Sequence, residues 1–194
     1  PQTYSISLAI FLGAGSRYEP PEEAGISHII EHMCFKGTPK RPTAKEITEA
    51  IEGVGGMFNA STNHEMTVYW CKVARPHFNI AVDVMLDMLR NAKFNPEDME
   101  KERKVILEEL NMINDSPQSQ VDLLIDEVIW PNQPLGRDIG GTKETVNAIT
   151  RNQVMDYMHS QYGPTNAVIS VAGNISHEEV VDKLSSYLRN WTPN

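Results

Sequence analysis

The sequence predicts an α+β fold, a largely antiparallel sheet with helices packed on one face. Three observations lead there. Short runs of alternating or β-branched character, such as Tyr4 to Leu12 and Asn166 to Ala172, mark strands. Between them lie segments of helical period, several in consecutive pairs and several opened by a capping signature. No internal repeat, low-complexity tract or linker interrupts the 194 residues, so 1–194 is read as a single domain. Strands separated by pairs of helices point to a layered α+β arrangement.

The first element is the strand from Tyr4 to Leu12. The turn-rich stretch Gly13-Ala-Gly-Ser-Arg-Tyr-Glu-Pro-Pro follows, then a helix from about Glu22 to Phe35 that carries His28, Glu31 and His32. Thr43 and Glu46 have capping-box spacing, and Ile47 and Ile51 continue an apolar face as far as Gly53, which gives a second, short helix. After Gly55-Gly56, the segments Phe58 to Thr62 and Glu65 to Val73 read as adjoining strands. From Pro76 the period becomes helical, with Phe78, Ala81, Val82, Met85, Leu86 and Leu89 on one side. Asn95-Pro96 provides a cap and a first-turn proline for a long helix to about Asn114. Pro117 opens another, whose Val121, Leu124, Ile125, Val128 and Ile129 are expected to face inward. A proline- and glycine-rich loop spans 131–141. Thr150 with Gln153 caps a helix to about Tyr162, Asn166 to Ala172 is an apolar strand, and Ser176 with Glu179 caps the last helix.

A formal net charge of -9 and a pI near 5.1 argue against a nucleic-acid partner. Phosphate binding needs a clustered basic surface, and only 36–45 is mildly basic. Cys34 and Cys71 are too few for a disulfide framework, so a reducing, cytoplasmic setting is expected. No apolar run approaches the ~20 residues of a membrane-spanning helix, and no membrane partner is expected.

The chemistry is concentrated in His28-Ile-Ile-Glu-His32. Residues four apart on a helix share a face, so both imidazoles can reach one ion with Glu31 beside them. Zinc suits two neutral imidazoles, a carboxylate and one open position for water, and glutamate directly before the second histidine is the order of the inverted zinc-peptidase motifs. Two solvated or capping histidines on an amphipathic helix remain the bland alternative. In the helix from Pro96, Met99, Ile106 and Ile113 form one stripe, and Glu102 and Glu109 lie on its edge, seven residues apart. Carboxylates along a core-facing stripe are costly unless paired or bound to metal. Salt bridges to Arg103 or Lys101 would also explain them. Glu108 is the competitor for the ligand role, but it lies about 100° around the helix from Glu109. Cys34 points to another face and reads as a buried structural residue. His64, His77, His159 and His177 lack ligand spacing, and Trp70, Trp130 and Trp191 read as core or boundary aromatics.

The motif with Glu109 downstream resembles the M16 family of zinc metallopeptidases, the pitrilysin, insulysin and mitochondrial processing peptidase family. The resemblance extends to Gly13-Ala-Gly-Ser-Arg-Tyr-Glu, the segment from Gly25 to Thr38, Gly55-Gly-Met-Phe-Asn-Ala-Ser-Thr62, Glu102-Arg-Lys-Val-Ile-Leu-Glu-Glu109 and Pro134-Leu-Gly-Arg137. It implies the LuxS/MPP-like metallohydrolase fold and a zinc endopeptidase acting on short or unfolded polypeptides. By the same resemblance one Zn2+ per chain is held by His28, His32 and Glu109, with Glu31 deprotonating water and Glu102 supporting a ligand histidine. Asn59 and Ala60 match the strand edge along which substrate is laid, a β-augmentation mode. The chain matches the N-terminal, zinc-bearing half. The family's first strand, before Pro1, and the C-terminal half that closes a chamber are expected to be missing, the latter fused or a partner subunit. A non-catalytic scaffold subunit of the family is the alternative, but it would be marked by lost ligands. The S-ribosylhomocysteine lyases, on a related fold, need a cysteine as third ligand, which Glu109 argues against.

Overall fold

The computed structural model describes residues 3–189 and 191. β1 (Ser5–Leu12) is the hub, and its alternation sends Ile6, Leu8, Ile10 and Leu12 inward, each no more than 1% exposed. It pairs with β3 (Thr67–Ala74) on one side and β4 (Ala167–Gly173) on the other, while β2 (Met57–Thr62) lies outside β3. Every pairing is antiparallel, in the order β2-β3-β1-β4. The register sets Ile6 against Val73, Leu8 against Cys71 and Ile10 against Tyr69, so inward residues meet inward residues. The opposite face carries Ser7, Trp70, Lys72, Val168 and Ser170, all exposed.

The helices cover the buried face. α1 (Ile26–Cys34) and α3 (Phe78–Asn91) supply most of its packing, with Ile26, Ile30, Met33, Ala81, Val82 and Met85 buried. α2 (Ala44–Glu52) begins at a reciprocal capping box: Glu46 N donates to Thr43 Oγ1 at 3.2 Å, and Thr43 N donates to Glu46 Oε2 at 2.8 Å. Such a cap stabilises a helix by about 1 kcal/mol. α4 (Pro96–Asn114) packs against α1, and α5 (Pro117–Ile129) follows it. Then come α6 (Lys143–Ala148), α7 (Arg151–Gln161) with its Thr150–Gln153 capping box, and α8 (His177–Leu188), where Glu179 N donates to Ser176 Oγ at 3.2 Å. No helix among the described residues is long and apolar enough to cross a membrane.

Several sequence expectations need correction. The first long helix starts at Ile26, not Glu22, because Gly25 adopts φ +96 and only a 3-10 turn, Pro21–Glu23, precedes it. β3 starts at Thr67 because the Asn63 side chain takes the Glu65 and Met66 amides at 2.8 and 2.9 Å in a local turn. Asn95 occupies the cap position of α4, yet its side chain bonds Asp98 rather than a backbone amide. α6 was not expected; its Thr142–Thr145 box lacks the usual Glu or Gln at the third position. The expected inward face of α5 is outward: Val121, Leu124, Ile125, Val128 and Ile129 are 49–77% exposed.

Candidate metal centre

α1 presents His28 and His32 one turn apart, with their Nε2 atoms 3.1 Å from each other. α4 brings Glu109 Oε2 to 3.7 Å from His28 Nε2 and 3.6 Å from His32 Nε2. Two ligand atoms each 2.0–2.1 Å from a tetrahedral zinc lie about 3.3 Å apart, so this triangle fits one ion with little movement. Among the described residues it is the cluster of His, Cys, Asp or Glu side chains close enough to share a metal.

The surroundings prepare the donors. Burial, and then the neighbouring His32, lower the His28 pKa to about 4, which leaves its ring neutral. His32 Nδ1 lies 3.1 Å from Glu102 Oε2, and Lys36 Nζ lies 2.7 Å from Glu102 Oε1. A carboxylate on Nδ1 directs the Nε2 lone pair toward the other two corners of the triangle. Lys36, and neither Arg103 nor Lys101, is the cation that offsets the burial of Glu102. Those two pair with Glu100 and Asp98. Glu108 is exposed and points away.

Glu31 is not part of the triangle. Its Oε2 accepts a hydrogen bond from Thr62 Oγ1 at 2.5 Å, and burial pushes its carboxyl pKa up. It shares a cleft of about 540 Å³ with His28, Glu109, Ala60, Thr62 and His64. Asn59, exposed on β2, stands outside the cleft wall, and its side-chain oxygen accepts from Ala60 N at 2.9 Å. β2 is an edge strand, so one row of its backbone groups has no strand partner in the sheet. Behind α1, Glu19 caps the helix start by accepting from Gly25 N and Ser27 N, both at 2.8 Å, and Arg137 Nη2 donates to Glu19 O at 2.8 Å. Cys34 is fully buried, its thiol pushed up to about 12 by burial, and Tyr69 Oη donates to its sulfur at 3.5 Å. It has no part in the centre.

Residues 1–143 match the insulinase family, peptidase family M16, and residues 148–194 match the M16 inactive domain. The chain belongs to the M16 family. It is 41% identical over 94% of its length to an uncharacterized zinc protease, YmxG, of Bacillus subtilis (strain 168), covering 44% of that protein. It is 36% identical over 97% of its length to the mitochondrial-processing peptidase subunit beta of Dictyostelium discoideum, covering 41% of it. This M16 chain therefore spans under half the length of these curated relatives. A protease from Helicobacter pylori superposes with TM-score 0.94 over 99% of the chain and 46% of that structure, at 21% identity. The periplasmic protease PqqL from Escherichia coli does so with TM-score 0.90 over 99% of the chain and 22% of that structure, at 24% identity. At these identities the likeness is one of fold, and it agrees with the M16 architecture expected from the sequence. The name zinc protease among the M16 relatives makes zinc the metal against which the triangle is judged, and the donor set fits it.

Of the residues singled out in the sequence, the M16 fold brings His28, His32, Glu109, Glu102, Glu31 and Ala60 together and leaves Asn59 at the rim. Sequence reasoning missed Thr62 and Lys36, which hold the two non-ligand glutamates. It also set aside His64, which lines the cleft and whose Nδ1 is 2.8 Å from Ser16 Oγ. Nothing in local spacing marks these three, because each acts across a distance in the chain.

Proposed function

We propose that this chain is the zinc-bearing part of a metalloendopeptidase that hydrolyses short or unfolded polypeptides. The observation that carries this reading is the coincidence, at one cleft beside a free strand edge, of a candidate ligand triangle and a half-buried carboxylate outside it. His28, His32 and Glu109 would hold one zinc ion, which supplies Lewis-acid polarisation of a carbonyl and acidifies water. Glu31 accepts the proton of the attacking water and delivers it to the leaving amine nitrogen. Burial raises its pKa, which strengthens it as the base for the first transfer. Thr62 holds Glu31 in place from β2, and Glu102 holds the His32 ring. An extended peptide adds to the β2 edge at Asn59 and Ala60, where main-chain hydrogen bonds align it with the cleft. A C-terminal M16 half, fused or separate, completes the enclosure. A cytoplasmic setting is part of the same proposal.

Binding and chemistry separate cleanly by substitution. Elemental analysis is expected to find one zinc per molecule in the wild type and in Glu31→Gln, and none in stoichiometric amount in His32→Ala. In the complete enzyme, Glu31→Gln is expected to lower hydrolysis of an unfolded peptide by ~10²-fold or more. Full zinc occupancy in His32→Ala would overturn the ligand assignment, and unchanged turnover in Glu31→Gln would overturn the base.

A further inference from the structure

His32 has a carboxylate on its Nδ1, behind the ring, and His28 has none there. His28 Nδ1 is buried without a hydrogen-bond partner. An imidazole that binds metal through Nε2 carries its proton on Nδ1 and almost always gives it to a carboxylate, a carbonyl or a water. Leaving such a donor unmet costs about 1–3 kcal/mol. The loop 137–141 passes beside this atom. A Cβ on Gly140 would lie 3.0 Å from Leu110 Cδ2, 3.4 Å from Asp138 Oδ1 and 3.7 Å from His28 Nδ1. The φ of Gly140 is not positive, so its backbone conformation does not demand glycine. The absent side chain makes room for Leu110 and leaves open the space between the ring and the carboxylate. Asp138 Oδ1 accepts one hydrogen bond, from Gly140 N at 2.8 Å, which leaves most of the carboxylate's acceptor capacity unused. Gly25, at the start of α1, locks the loop to the helix: a Cβ there would fall 2.5 Å from Gly140 O.

We propose that Asp138 is a positioning residue for His28, accepting its Nδ1 proton through one water held beside Gly140. The proposal rests on the metal centre proposed above and assigns each imidazole its own carboxylate, Glu102 directly to His32 and Asp138 by relay to His28. The relay fixes the ring orientation and raises the basicity of Nε2.

The test is a metal-affinity series on the protein, read by zinc competition with a chromophoric chelator and by the visible absorption of the cobalt(II)-substituted form. Asp138→Ala and Gly140→Ala are each expected to raise the zinc dissociation constant by about 10- to 100-fold and to change the cobalt band intensity. The double variant is expected to bind no more weakly than the worse single one, because both substitutions remove the same relay. Asp138→Asn keeps an acceptor oxygen and is expected to recover most of the affinity. Asp122→Asn removes a charge from the wall of the same cleft and is expected to change nothing. Unchanged affinity in Asp138→Ala, or an equal loss in Asp122→Asn, overturns the positioning role. If circular dichroism shows Asp138→Ala unfolded, Asp138→Leu, which keeps the branched side-chain shape and removes both acceptor oxygens, decides by the same criterion. A wild-type protein that binds no zinc overturns the metal centre and this proposal with it, a result distinct from normal binding in all variants.

Discussion

His28 is held in the fold as an uncharged ring, and this has a consequence for the metal-free protein. Its pKa falls from the ordinary 6.5 to about 4 through burial. The folded state therefore binds fewer protons at His28 than the unfolded state between those values, so stability is present above pH 6.5 and is lost as pH falls toward 4. The full shift corresponds to about 3 kcal/mol, an upper figure because Glu109, 3.7 Å away, favours the protonated ring. Urea unfolding in the presence of a chelator is expected to show this acid-side loss in the wild type and a shallower one in His28→Gln. Parallel curves for the two proteins would refute it. The same burial that makes the ring a poor base in the apo protein keeps its nitrogen free for a metal at neutral pH.

At the level of elements, α4 and α5 show how much a periodic apolar pattern leaves open. Both have one apolar side. α4 buries Met99, Ile106 and Leu110 against α1 and its neighbours, whereas α5 buries no residue and leaves Val128 77% exposed. Ile106→Ala is therefore expected to cost about 2–5 kcal/mol in unfolding free energy by leaving a cavity. Val128→Ser is expected to stay within about 0.5 kcal/mol of wild type. Chemical denaturation of both variants checks the pair, and a large loss in Val128→Ser would show that the α5 face is covered in solution. The candidate metal triangle depends on the same α1–α4 packing, because α1 alone carries two of the three donors and the third arrives only when Ile106 and Leu110 seat α4.

For the molecule as a whole, the chain carries the candidate ligand triangle and the proposed base but spans under half the length of its M16 relatives. Rate enhancement also requires that the peptide be held and its developing oxyanion stabilised. The chain alone is expected to bind zinc yet to hydrolyse an unfolded peptide ~10²-fold or more slowly than the chain supplied with the C-terminal M16 half. Equal turnover at equal zinc would show this half to be self-sufficient. Much of this molecule is legible in its sequence. The alternation of β1, the Thr43 and Thr150 caps, the shared face of His28 and His32, and the parallel aim of Glu102 and Glu109 all follow from interactions within one or two helical turns or a strand period. The sequence by itself thus determined most of the elements, the family and a candidate ligand set. Only the tertiary structure decided that Thr62 grips Glu31, that Lys36 offsets Glu102, that Asp138 stands near His28 and that the apolar side of α5 faces outward. Those relations join residues far apart in the chain, and a periodic pattern specifies which side of an element is apolar without specifying what, if anything, packs against it.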